Sequence, residues 1–127
     1  MARILVVDDE IDIRSFLVDE LARLQHEVDG AANGIEALEK VKTWKPHLVL
    51  LDIRMPVMDG LTALKNLRGN HPEIAVIMMT ADRNEDVAKD AVKAGAFDYV
   101  TKPVNLARLK MLVETKLIDV LGEVDTP

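Results

Sequence analysis

Cysteine is absent from the 127 residues. This excludes a disulfide framework, a thiolate metal site and a cysteine nucleophile, and it fits a reducing compartment. Basic residues are in the minority: 16 Lys and Arg against 22 Asp and Glu leave a formal charge of -6. Such a surface repels nucleic-acid phosphate, so no direct nucleic-acid binding by this domain is expected. Long apolar runs are missing too. No stretch approaches the ~20 residues needed to span a bilayer. Met1-Ala2-Arg3 leads at once into an apolar run, so no secretory signal is expected. The expectation is a soluble, cytoplasmic protein with no membrane partner, free of internal repeats and low-complexity segments. The length suits one domain, which at this size buries roughly two-thirds of its unfolded surface.

What is present is a set of acids where apolar runs stop. Ile4-Leu5-Val6-Val7 leads straight into Asp8-Asp9, and His47-Leu48-Val49-Leu50-Leu51 leads into Asp52. Runs this short and this poor in polar residues read as strands buried on both faces of a parallel sheet. Three acids at the ends of two such strands imply a cluster at one sheet edge. Like charges there repel unless a cation sits among them. Oxygen-only ligands suit Mg²⁺, which needs only one or two carboxylates and keeps several waters. A third run, Ile74 to Met79, ends in Thr80, and a fourth, Phe97 to Val100, ends in Thr101-Lys102-Pro103. Acids, hydroxyl and lysine together fit a nucleophile, a metal and a charge clamp for a phosphoryl group.

Helical patterns alternate with these runs. Ile13, Phe16, Leu17, Leu21 and Leu24 recur at three and four after Asp9, and a weak strand follows at Glu27 to Ala31. Asn33 with Glu36 reads as an N-cap opening a helix with Ile35, Leu38 and Val41 inward. A loop from Met55 to Gly60 leads to a helix bearing Leu61, Leu64 and Leu67, stopped by Gly69. Asp82 with Glu85 reads as another N-cap pair, its helix running to Gly95 with Val87, Ala91 and Val92 inside. The last helix starts near Asn105 and carries Leu106, Leu109, Leu112, Val113, Leu117 and Val120. Five strands alternating with five helices give a doubly wound, flavodoxin-like (βα)5 α/β fold with a parallel sheet. Right-handed crossovers wound both ways from the first strand give the order 2-1-3-4-5. Asp8, Asp9 and Asp52 then share the crevice at the switch point. The domain is placed at residues 1–121, with 122–127 as a frayed tail or linker stump.

Four segments together resemble the receiver domain of bacterial two-component response regulators. They are Val6-Val7-Asp8-Asp9-Glu10, Leu51-Asp52-Ile53-Arg54-Met55-Pro56-Val57-Met58-Asp59-Gly60, Met79-Thr80-Ala81 and Gly95-Ala96-Phe97-Asp98-Tyr99-Val100-Thr101-Lys102-Pro103. The resemblance implies transfer of a phosphoryl group from a phosphohistidine on a sensor histidine kinase or phosphotransfer protein to Asp52. Asp8, Asp9, Asp52 and the backbone carbonyl of Arg54 would hold Mg²⁺ or Mn²⁺. Lys102, before a cis proline, would pair with Asp52 and then with the phosphoryl oxygens. Thr80 would donate its hydroxyl, Tyr99 would turn inward as the switch aromatic, and Arg54 with Asp82 would tune the phosphoryl lifetime. The donor would dock on the exposed part of the first helix, at Ile11, Arg14, Ser15 and Val18. An output domain or downstream protein would read the change, and dimerisation on phosphorylation is one form it could take. The last strand and helix resemble receivers fused to ATPase-type transcription activators slightly more than those fused to winged-helix domains.

Bland readings stand beside these. Asp8 and Asp9 could simply favour a helix start, Thr80 could finish a strand, and Tyr99 could be an amphipathic ring at a sheet edge. Met55, Met58, Met78 and Met79 read as adaptable packing, and His26, His47 and His71 lack ligand spacing. A receiver would catalyse its own phosphorylation and dephosphorylation without being a turnover enzyme. The alternative enzyme is a Mg²⁺-dependent phosphohydrolase with an aspartyl nucleophile. It needs a general acid two residues after the nucleophile, where Arg54 stands, and a substrate cap with no room here. A flavodoxin-like mononucleotide binder would offer a phosphate glycines and hydroxyls after the first strand, where this chain has Asp8-Asp9.

Overall fold

The computed structural model describes residues 2–81 and 85–121. Strands and helices alternate: β1 (Arg3–Val7), α1 (Ile11–Ala22), β2 (Glu27–Ala31), α2 (Gly34–Trp44), β3 (Leu48–Asp52), α3 (Gly60–Asn70), β4 (Ala75–Thr80), α4 (Glu85–Lys93), β5 (Asp98–Thr101) and α5 (Leu106–Leu121). The sheet is parallel, in the order β2-β1-β3-β4-β5. This is the doubly wound topology that the sequence implies.

Central and edge strands differ as their sequences require. Along β3 and β4 every residue is buried, whereas in the edge strands β2 and β5 most positions are partly or fully exposed. Successive side chains point to opposite faces of the sheet. Leu5, Val7, Val49, Leu51, Val76 and Met78 therefore pack with α2, α3 and α4, and Ile4, Val6, Leu48, Leu50, Ile77 and Met79 pack with α1 and α5.

Local signals set most helix starts. Asn33 accepts a hydrogen bond from the Glu36 N–H at 2.9 Å, and Glu36 reaches back to the Ala32 N–H at 3.0 Å. Asn105 caps α5 through the Arg108 N–H at 3.0 Å. The expected Asp82–Glu85 cap and the tail 122–127 lie outside the described residues.

Some inward assignments are corrected. Phe16 is 53 % exposed, Ile35 47 % and Val92 44 %. Each flanks its buried stripe by one residue, about 100° around the helix, so spacing alone admitted it. Gly34 takes the inward place beside Ile35, because Met58 packs 3.0 Å from where a Cβ would stand. Gly69 does not stop α3, which runs on to Asn70 with His71 as its C-cap. Pro72 ends it, since proline supplies no N–H and disfavours helix in the residue before it.

At the amino-terminal edge of the sheet, two histidines act as backbone acceptors. His26 Nδ1 accepts from the Ala2 N–H at 3.2 Å, and His47 Nδ1 from the Arg3 N–H at 3.0 Å. Arg3 Nε donates to the carbonyl of Trp44 at 3.0 Å, and that half-buried tryptophan closes the end of α2.

Candidate functional site

The buried polar or charged side chains among the described residues are Asp8, Asp52 and Thr80. All three lie at the carboxyl ends of neighbouring strands, β1, β3 and β4. Burying such groups costs free energy unless each finds partners, so their gathering at one edge marks a site rather than a core.

Asp8 continues the β1 ladder, its N–H donating to Ala31 O at 3.1 Å. Asp8 Oδ1 accepts from the Glu10 N–H at 2.9 Å. Asp52 is the last residue of β3, and its Oδ1 accepts from the Arg54 N–H at 3.2 Å. Behind it, the Gly60 N–H donates to Ile53 O at 2.7 Å. A Cβ on Gly60 would stand 2.2 Å from Asp52 O, so only glycine lets α3 start this close. Thr80 is opposite Thr101 in register, and the Lys102 N–H donates to Thr80 O at 2.8 Å.

Lys102 joins these strands electrostatically. A cis peptide links it to Pro103. Its Nζ lies 2.8 Å from Asp8 Oδ2, 3.0 Å from Asp52 Oδ2 and 3.9 Å from Glu10 Oε1. One ammonium thus serves two buried carboxylates. Burial pushes the Asp52 carboxyl above its usual range, and Asp8 adds to this against the pull of Lys102. Burial opposes the charge on Lys102 as well, but attraction by Asp8 and Asp52 wins and raises its pKa.

The acids can also hold a divalent cation. One oxygen each from Asp8, Asp9 and Asp52 lies within 4.8 Å of the others, with Asp8 and Asp52 buried and Asp9 exposed. Asp8 Oδ2 is fully buried, and its ionic contact with Lys102 is not an aligned hydrogen bond. Two buried carboxylates sharing a single ammonium, with Asp9 beside them, make an all-oxygen donor set that fits Mg²⁺.

Other residues fall less close. Arg54 is exposed on the β3–α3 loop, and Asp82 lies outside the described residues. Tyr99 is half-buried opposite Met78, on the same sheet face as Thr80, and packs against the core beneath α4. Asp59 caps α3 through the Thr62 N–H at 2.8 Å and is not one of the acids clustered with Asp52. On α1, Ile11 and Ser15 are exposed, but Arg14 and Val18 are half-buried, which corrects their placement on the exposed face. Phe16 is exposed there as well. Two contributors escaped the sequence reading. Glu10, though exposed, supplies a backbone donor to Asp8 and a carboxylate near Lys102. Arg14 donates from Nη1 to Asp8 O at 2.7 Å. Nothing in a single sequence separates such an arginine from an ordinary helix-surface cation.

The sequence profile of the response regulator receiver domain matches residues 4–114, and the chain belongs to that family of phosphorylation-dependent signalling switches. Among curated relatives, it is 44 % identical over 115 residues to the regulatory protein AtoC of Escherichia coli K12, covering 91 % of this chain and 25 % of AtoC. It is 39 % identical over 108 residues to the chemotaxis protein CheY of Thermotoga maritima, covering 84 % of this chain and 90 % of CheY. The chain thus spans about a quarter of the length of AtoC. Among solved structures, the response regulator TrrA of Thermotoga maritima in complex with Mg²⁺ and BeF superposes with a TM-score of 0.81 at 39 % identity, covering 91 % of this chain and 98 % of TrrA. Among the described residues, no helix is long and apolar enough to cross a membrane.

Proposed function

We propose that this chain takes a phosphoryl group from a phosphohistidine, on a sensor kinase or phosphotransfer protein, onto Asp52. The observation that carries this reading is the convergence of Asp52, Asp8 and Lys102 within 3.0 Å contacts at one sheet edge. An Asp52 carboxylate oxygen attacks phosphorus in line. The new P–O bond forms as the P–N bond to the donor imidazole breaks, and the ring leaves with that electron pair. Lys102 shifts from Asp52 Oδ2 to the phosphoryl oxygens, and the Thr80 hydroxyl donates to one of them. Asp8, Asp9, Asp52 and the Arg54 carbonyl would hold Mg²⁺ or Mn²⁺, which when bound offsets charge on the phosphoryl oxygens.

Partner surfaces follow from exposure. Ile11 and Phe16 stand free beside a groove lined by Ile13, Leu17, Lys102 and Pro103, where a donor would reach Asp52. Met111, Ile118 and Leu121 form an exposed apolar stripe on α5 that suits an output domain, a downstream protein or a second copy. Thr80 moving toward the phosphoryl group would let Tyr99 follow into the space beneath α4. Arg54 would shield the phosphoryl group from water together with Asp82, so Arg54→Ala and Asp82→Ala should shorten its lifetime non-additively.

The test is mass spectrometry after exposure to acetyl phosphate and Mg²⁺. A single phosphoryl adduct on Asp52 supports the switch. Steady release of phosphate over many turnovers would instead mean a phosphohydrolase, and no adduct with nucleotide binding would mean a mononucleotide carrier.

A further inference from the structure

Arg14 contacts the acid cluster from behind. Its Nη1 donates to Asp8 O at 2.7 Å, and that carbonyl belongs to the peptide joining Asp8 to Asp9. Asp8 is 0 % exposed, so the carbonyl sits where a charge-assisted bond is strong. Gly30 on β2 makes the reach possible. A Cβ there would stand 3.0 Å from Arg14 Cδ and 3.1 Å from Cγ. The edge strand therefore leaves a slot, the arginine stem fills it, and the guanidinium ends beneath the two acids.

We propose that Arg14 is a positioning residue for the divalent cation: it fixes the plane of the Asp8–Asp9 peptide and so aims the Asp9 carboxylate at the other oxygens. The inference rests on the reading of these acids as Mg²⁺ ligands. Charge and orientation make opposite predictions. A guanidinium near three acids repels a dication, so on charge alone its removal tightens binding. On orientation, its removal lets the peptide rotate and the carboxylate wander. Partners that orient metal ligands are worth about 10–100-fold in affinity. The side chain is only half-buried, so water screens its charge, while the bond it makes is to a buried carbonyl. Orientation wins.

The experiment is calorimetric titration of the whole chain with Mg²⁺ alone, after chelator treatment, at a temperature where circular dichroism shows every variant folded. Arg14→Ala should weaken binding about tenfold, the low end for an orienting partner, and Arg14→Lys should recover part of the loss. Gly30→Ala should weaken binding about two- to threefold by crowding the arginine stem, and should add nothing in the Arg14→Ala background. Unchanged or tighter Mg²⁺ binding by Arg14→Ala overturns the proposal, as does a fall in melting temperature with no change in affinity. Asp9→Asn separates the two layers. If it binds Mg²⁺ as well as the wild type does, or if the wild type binds none, the ligand reading itself fails and Arg14 falls with it.

Discussion

At the scale of single residues, the sharpest consequence concerns Asp52 and its neighbours. Its carboxyl is raised chiefly by burial, so ionising it opposes folding at neutral pH. Asp52→Asn should therefore melt higher than the wild type in chelator and yet show no phosphoryl adduct. Asp59→Asn, altered only at a helix cap, should label at close to the full rate. His47 offers a test of opposite sign. Burial and then the charge of Arg3 depress its pKa below 6.5, and its Nδ1 must stay bare to accept from the Arg3 N–H. The unfolded chain then binds this proton more readily than the native one. The His47 contribution is fully present above pH 6.5 and is lost as pH falls toward the depressed native value. Urea titrations between about pH 8 and pH 5 should show a larger acid-side loss for wild type than for His47→Asn. Equal losses would remove His47 from the account.

At the scale of elements, two glycines of α3 invert the usual expectation. Gly69 stands in the last turn with no atom within 4 Å of a built Cβ. Gly69→Ala should stabilise the fold by about 0.5–1 kcal/mol, read from urea midpoints. Gly60→Ala would drive a methyl into the Asp52 carbonyl and should cost more than about 4 kcal/mol or prevent folding, the range reserved for severe core disruption. The same contrast shows what could be read from residues in order. Apolar runs ending in Asp8, Asp52 and Thr80 marked the central strands and the site edge, because full burial of a parallel sheet leaves so little choice of residue. Asn33, Glu36 and Asn105 marked helix starts because caps are local. Phe16, Ile35 and Val92 misled, since spacing defines a stripe but not its borders. Arg14 was invisible as a partner of the acids, for its contact depends on a gap in β2 that only the assembled sheet reveals.

At the scale of the whole molecule, the proposed chemistry lies at the carboxyl edge, and in the proposed switch the response travels sideways through β5 to α4 and α5. Lys102 is the charged link between that edge and β5. Lys102→Ala should still accept some phosphoryl group, but its amide NMR shifts should stay local to Asp52 instead of reaching Tyr99 and α5. A full wild-type pattern in that variant would refute the coupling. Trp44, the single tryptophan, sits at the opposite edge, where its carbonyl holds Arg3. Its emission should report loss of the fold and be nearly blind to events at Asp52. A fluorescent readout of activation in this protein needs a tryptophan moved to the rim, with the exposed Val57 as its site and Trp44→Phe as the dark background.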